Sequence, residues 1–383
     1  MVSLPYGRVP YPLELGDRRV RFVDPPTPPV SRDVGALIDA ALDAPIGRSR
    51  VESMVAAKAR VTVIVSDATR AEPRTEFLEA LRRRLPSVQW TIAIATGTHG
   101  PSGIAPLQLP THLLADASIV DHDGHSERDL VSLGVTPRGT PIRVHRCVVD
   151  TDLVIATGCI RPHYFAGFGA GVKAIFPGLG GAREIRINHT LKREPLARAG
   201  IVEGNPCRVD LEAAVGLLET RTFLLNGVCA TDNQVHAVVA GDPVQAFRVG
   251  VALARPWFTV SAPRADLVIA SDALPVTGSL YQSAKIAAAV AGLVREGGTL
   301  LVVAECADGI GPLETVNEAI FRIGVLPRLA PNVRLGLVSS LAPERVRETL
   351  LEPIPSVAAL LADHDDSVVI IPRASQLLVE ATS

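Results

Sequence analysis

The sequence predicts an α/β fold of two domains built on mainly parallel sheets. Apolar β-rich runs recur down the chain without the alternation of a half-exposed strand, and helix-like segments lie between many of them. Unbroken runs mark strands covered on both faces, as parallel sheets require. With 383 residues, 47% of them hydrophobic and 20% charged, the chain can fill the cores of two domains.

In order, the runs are Val61–Val65, Trp90–Ala95, Ala117–Val120, Leu153–Ala156, Thr222–Leu225, Leu267–Ala270, Thr299–Val303, Leu335–Val338 and Val368–Ile371. Thr75–Leu85 and Ser283–Val294 have helical spacing. The first carries Glu76 and Glu79 early and Arg82, Arg83 and Arg84 late, which complements a helix dipole and predicts a solvated helix end. The polar or proline-containing stretch 241–264 predicts the connection between domains, dividing the chain into 1–255 and 256–383.

Bulk properties narrow the function. A net charge of −2 without a basic, aromatic-interleaved stripe argues against nucleic acid. Five scattered cysteines, an odd number without a CxxC, argue against a disulfide framework or structural zinc and favour a reducing cytoplasm. The opening MVSLPYGRVPYPLEL has no signal-peptide pattern. The longest apolar stretch, Ile286–Val294, is far short of the roughly 20 residues that span a bilayer, so no membrane partner is expected.

The polar motifs follow the runs directly. SDATR (Ser66–Arg70) follows the first, TGTH (Thr96–His99) the second and DHDGH (Asp121–His125) the third. After the fourth comes GCIRPHYFAGFGAGVKAIFPGLGGAREIRINHT, from Gly158 to Thr190. Ligands of parallel sheets bind beyond the carboxyl ends of the strands. Four loops would then converge on one mouth carrying Asp67, Arg70, His99, His122, His163 and Lys173. Glycine at this density lets backbone approach a ligand, and a lysine held there can be a nucleophile or attachment point.

Simpler readings stand beside these. A Walker loop needs Gly-Lys-Ser/Thr, but Val172 and Ala174 flank the lysine. Gly169, Gly171 and Ala174 fit GxGxxG/A, yet the preceding apolar run ends too early. Asp67 or Thr69 could cap the next helix, and Arg70 could pair with Glu72. Asp121, His122, Asp123 and His125 have metal-ligand chemistry and seed an alternative, a metal-dependent hydrolase. A non-catalytic protein binding a small acid is a second alternative. In GSLYQSAK, Gln282 and Lys285 share one face of a helix start and could clamp a carboxylate.

Taken together, SDATR, TGTH, the PH-x-FAG-x-G-x-G-x-K segment and the downstream Asn188-His189 resemble the nickel-pincer lactate racemase family, with weaker likeness at Tyr281, Gln282 and Lys285. The resemblance implies an enzyme, a racemase or epimerase inverting the carbinol carbon of a 2-hydroxy acid. It also implies an active site in a cleft between the domains: the first carries cofactor and catalysis, the second adds substrate-binding residues. By the same resemblance, Lys173 joins a nickel-pincer mononucleotide through a thioamide and His189 completes nickel(II) coordination. Asp67, Ala68, Thr69 and Arg70 contact the cofactor, and Arg70 also meets substrate. His99 and His163 are the acid–base pair, while Tyr281, Gln282 and Lys285 bind substrate. A site of carbon, two sulfurs and imidazole suits square-planar nickel(II). The chain departs from the family in having no basic residue after TGTH, and its only tryptophans are Trp90 and Trp257.

Overall fold

The computed structural model describes residues 2–16, 18, 20–362 and 367–382. The chain forms two compact units, residues 28–257 and residues 1–27 together with 258–383. In the first unit, a six-stranded sheet runs in the order Val235–Gly241, Arg221–Cys229, Leu153–Ile160, Arg60–Ser66, Gln89–Ala95, Ala117–Asp121. All neighbours are parallel except Val235–Gly241, which pairs antiparallel with Arg221–Cys229.

Both faces of this sheet are covered, which is why its strands read as unbroken apolar runs. Val61, Val63, Val65, Ile92, Ile94, Leu153, Ile155 and Phe223 share one core with Ile38 and Leu42 of helix Val34–Asp43 and with Phe77, Leu78 and Leu81 of helix Arg74–Arg84. The alternate residues Ile64, Ala93, Val154, Ala156 and Leu224 are equally buried. Helix Gln245–Ala254 lies close on strand ends here: a Cβ added at Gly250 would sit 2.3 Å from Ile160 Cδ1 and 3.0 Å from Val239 Cγ2.

The units divide at Trp257–Phe258, inside the stretch expected to connect them, but much of that stretch is helix. The stretch 241–264 is not a bare connection, because Ala246, Phe247, Gly250, Val251 and Ala254 recur at helical spacing and are buried. The arginines ending Arg74–Arg84 are not simply solvated either. Arg84 meets Asp39, Asp43 and Glu52, while Arg82 donates to Leu113 O and lies 5.2 Å over the Trp90 ring.

The second unit carries a wholly parallel sheet in the order Glu352–Pro353, Arg334–Val338, Val294–Val303, Ala265–Ser271, Val368–Ile371, Val20–Phe22. Its edge strand comes from the chain's beginning, Val20 pairing with Val368. Residues 1–27 therefore belong with the C-terminal unit, where the sequence placed them in the N-terminal one; a three-residue strand is too short to announce its partner. Leu267, Ile269, Leu301, Val303 and Ile370 form the core of one face. Helix Leu280–Val290 starts earlier than Ser283 and ends earlier than Val294, which instead opens the next strand.

Candidate active site

The mouth of the first sheet is built by topology. Strands Arg60–Ser66, Gln89–Ala95, Ala117–Asp121 and Leu153–Ile160 are mutually parallel, so their carboxyl ends share one edge. From the central strand Arg60–Ser66 the chain builds outward to one side, then returns to Leu153–Ile160 on the other. This reversal opens the crevice in which such sheets bind ligands. SDATR and Arg161-Pro162-His163 leave its two sides.

Backbone hydrogen bonds knit the loops together. Gly97 N–H donates to Gly178 O at 2.9 Å, and Ala182 N–H donates to Gly124 O at 2.7 Å. Thr96 Oγ1 donates to His122 O at 2.6 Å, and His122 Nε2 donates to Gly180 O at 2.9 Å. A Cβ at Gly124 would meet Gly97 O at 2.5 Å and Gly180 O at 2.9 Å. TGTH and DHDGH are thus locked on the segment that follows Lys173.

SDATR sets one carboxylate against an imidazole. Asp67 is buried, accepts from Thr69 N–H and Thr69 Oγ1, and its Oδ2 lies 2.9 Å from His99 Nδ1. Burial would raise this carboxyl, but the hydrogen bonds from His99 and Thr69 outweigh it and hold it at about 2. An ionised carboxylate only accepts, so the Nδ1 of His99 carries the proton and Nε2 is the basic nitrogen. Asp67 caps no helix: Arg74–Arg84 has Pro73 at its N-cap. Arg70 does not pair with Glu72, whose buried carboxylate accepts from Ser66 N–H and meets Arg74. Arg74 also donates to the carbonyls of Ser66, Asp67 and Arg70, leaving Ala68, Thr69 and Arg70 exposed on an anchored turn.

The glycine–lysine segment gathers the other candidates around one ring. Pro162–His163 pairs antiparallel with Gly167–Phe168, folding the chain back on itself. The buried Phe165 ring lies 4.6 Å from the His163 ring and 5.0 Å from the His189 ring, edge-on to both. Lys173 Nζ is 5.7 Å from the same ring centroid. His163 Nδ1 accepts from Ala166 N–H at 3.2 Å, so in the neutral ring Nε2 carries the proton. Desolvation, reinforced by the charges of Arg208 and Arg70, pushes the Lys173 amine down to about 7. Desolvation, then the charges of Lys173 and Lys192, pushes His189 down to about 3, leaving a neutral imidazole at neutral pH.

Most other expected residues have partners of their own. In the DHDGH motif, His122 is engaged with Gly180 O, Asp121 caps the N–H groups of Ser102 and Gly103, and Asp123 accepts from His125 N–H. Among the described residues no three His, Cys, Asp or Glu are gathered to hold a metal ion. Tyr281, Gln282 and Lys285 belong to the other unit, at the start of helix Leu280–Val290, where Lys285 Nζ donates to Gln282 Oε1. Sequence reasoning gave no role to Phe165 or Arg208. Phe165 stood inside a motif already picked out, but only folding shows that its ring touches three candidates.

Comparison with known proteins bears on this site. The family model of the lactate racemase N-terminal domain matches residues 6–200, which hold all four of His99, His163, Lys173 and His189. Lactate racemase of Thermoanaerobacterium thermosaccharolyticum is 27% identical, over 99% of both chains. That of Lactiplantibacillus plantarum is 30% identical, over 72% of this chain and 66% of its own. The structure of the lactate racemase apoprotein from T. thermosaccharolyticum superposes with a TM-score of 0.86 at 26% identity, covering 99% of each. A Thermotoga maritima protein shares the fold at a TM-score of 0.65 and 16% identity, covering 91% of this chain and 98% of its own. The chain belongs to the lactate racemase family and is an isomerase of the racemase type.

Proposed function

We propose that this protein racemises lactate or a closely related 2-hydroxy acid, using a nickel-pincer nucleotide joined to Lys173. The observation that carries the reading is the Phe165 ring, shared by His163, Lys173 and His189. The residues fit such a group. Lys173 is an amine with its proton weakly held, which suits acylation, and His189 is a half-buried neutral imidazole, the form that ligates metal. Lys173 would hold the nucleotide, His189 the nickel, and Asp67 to Arg70 would line it. When bound, that group supplies an electrophilic carbon that accepts and returns a hydride.

The rest of the chemistry belongs to the chain. Abstracting the α C–H of a hydroxy acid as a proton is hard, whereas removing the hydroxyl proton lets the same hydrogen leave as hydride. Inversion in both directions needs one group to take that proton and another to return it. His99 presents a basic Nε2, and His163 a protonated Nε2. Asp67 orients the His99 ring by its Nδ1. Arg70 offers a planar fork to the substrate carboxylate. The carboxylate partners proposed from the other unit are Gln282 and Lys285, with Tyr281 beside them.

Incubating single enantiomers with protein made in a host that synthesises the cofactor tests the reading. Loss of optical purity, with the mass adduct mapping to Lys173, is expected; a protein that binds the acid without changing optical purity is the silent binder. A metal-dependent hydrolase would instead lose zinc or manganese on His122→Ala with His125→Ala.

A further inference from the structure

Lys173 is held through one strained peptide group. Ala170 has φ 61° and ψ −157°, a region that only glycine enters readily. A side chain in that conformation persists only where its surroundings enforce it. Both ends of the following peptide are engaged. The Ala170 carbonyl accepts from Arg208 Nη1 at 3.4 Å, and the Gly171 N–H donates to Asn226 Oδ1 at 2.8 Å. Arg208 and Asn226 are 1% and 0% exposed. Arg208 Nη2 also donates to the carbonyls of Ala166 and Phe168, so one guanidinium spans the turn from His163 to Lys173.

The surroundings leave this peptide little alternative. Asn226 is itself fixed, its Nδ2 donating to Leu225 O at 3.0 Å and Ala156 O at 3.4 Å. A Cβ at Gly171 would meet the Phe247 ring at 2.7 Å, and Arg208 lies 4.2 Å over that ring. A Cβ at Gly158 would meet the Ala170 methyl at 3.3 Å. The Ala170 carbonyl also takes the Lys173 N–H, at 3.4 Å, so its direction sets where the lysine leaves the backbone. Arg208, Asn226 and Phe247 all lie beyond the residues matched by the family model, yet in the same unit.

We propose that Arg208 and Asn226 are positioning residues, a clamp on the Ala170–Gly171 peptide that presents the Lys173 amine for covalent attachment. The proposal rests on Lys173 being the attachment point. Ala170 rather than glycine makes the clamp necessary: strain of this kind shifts an unclamped loop away from the presented form by about tenfold or more.

Cofactor occupancy at Lys173, read by peptide mass in a host that makes the nucleotide, tests this without turnover. Asn226→Ala is expected to lower occupancy about tenfold. Adding Ala170→Gly is expected to restore it to within about threefold of the wild type, since glycine takes this conformation at little cost. Loss of packing alone would lower the melting temperature in both variants and give no such rescue. Full occupancy in Asn226→Ala, or a double variant no better than the single, overturns the clamp. Where Asn226→Ala does not fold, the wild-type apoprotein decides. Its Gly171 N–H should exchange with deuterium at least about a hundredfold more slowly than that of exposed Ala68, and equal rates overturn the clamp. A wild type without adduct overturns the function proposed above, while the exchange measurement still judges the clamp.

Discussion

The two sides of the crevice treat their histidines in opposite ways. On the SDATR side, His99 is 52% exposed in its side chain and leans on the ionised Asp67. On the glycine–lysine side, His189 is half-buried, packs on Phe165, and has the amines of Lys173 and Lys192 as neighbours. Desolvation, then the neighbouring lysine charges, keep the His189 imidazole neutral. One side sets an imidazole against a carboxylate, the other packs an imidazole and an amine on one aromatic ring. Arg70 connects them, since it springs from the first and its charge helps to deprotonate Lys173 on the second.

The largest expected effect breaks the dry side. Lys173→Ala should leave the fold intact and abolish racemisation, with no mass adduct; normal loss of optical purity in that variant would refute the covalent reading. Next, His99→Ala and His163→Ala should each reduce turnover by about 10²- to 10⁴-fold, the usual worth of an acid–base group. Single-turnover experiments with each pure enantiomer should then find the two variants impaired with opposite preference. Equal impairment with both enantiomers would show that the histidines do not divide the work.

A smaller effect is expected at the bridge between the sides. Arg70→Lys retains charge but loses the planar fork, so kcat/KM should fall on the order of tenfold. Wild-type kcat/KM there, and again in Lys285→Ala, would remove the carboxylate clamp. The smallest effect concerns stability alone. The Asp67 carboxyl lies at about 2, below its ordinary 3.8, so its contribution is full above about pH 4 and is lost as pH falls through about 2. It is worth about 2 kcal/mol. Urea unfolding at pH 5 and at pH 3 should show the advantage of wild type over Asp67→Asn roughly halved at the lower pH. A constant difference would mean that the carboxylate is not ionised against His99.

Much of the site could be read from the chain because it is local. Ser66–Arg70, Thr96–His99 and Pro162–Lys173 each follow a strand whose apolar run is continuous, and parallel pairing alone brings such loops to one edge. Helix Gln245–Ala254 was obscured by flanking prolines and polar residues, although its apolar spacing is regular. The edge strand Val20–Phe22 could not be assigned, because pairing across more than 300 residues leaves no local mark.

By itself the sequence determined the sheet-forming runs, the loops that hold the candidate residues, and the residue types able to transfer a proton or form a covalent bond. These follow from side-chain chemistry and short-range spacing. Tertiary structure alone decided what each group experiences. It set Asp67 against His99, gave His163, Lys173 and His189 one ring in common, and drew Arg208 and Asn226 onto the Ala170–Gly171 peptide. Burial and neighbouring charge fix protonation and strain, and both are properties of contacts between residues far apart in the chain.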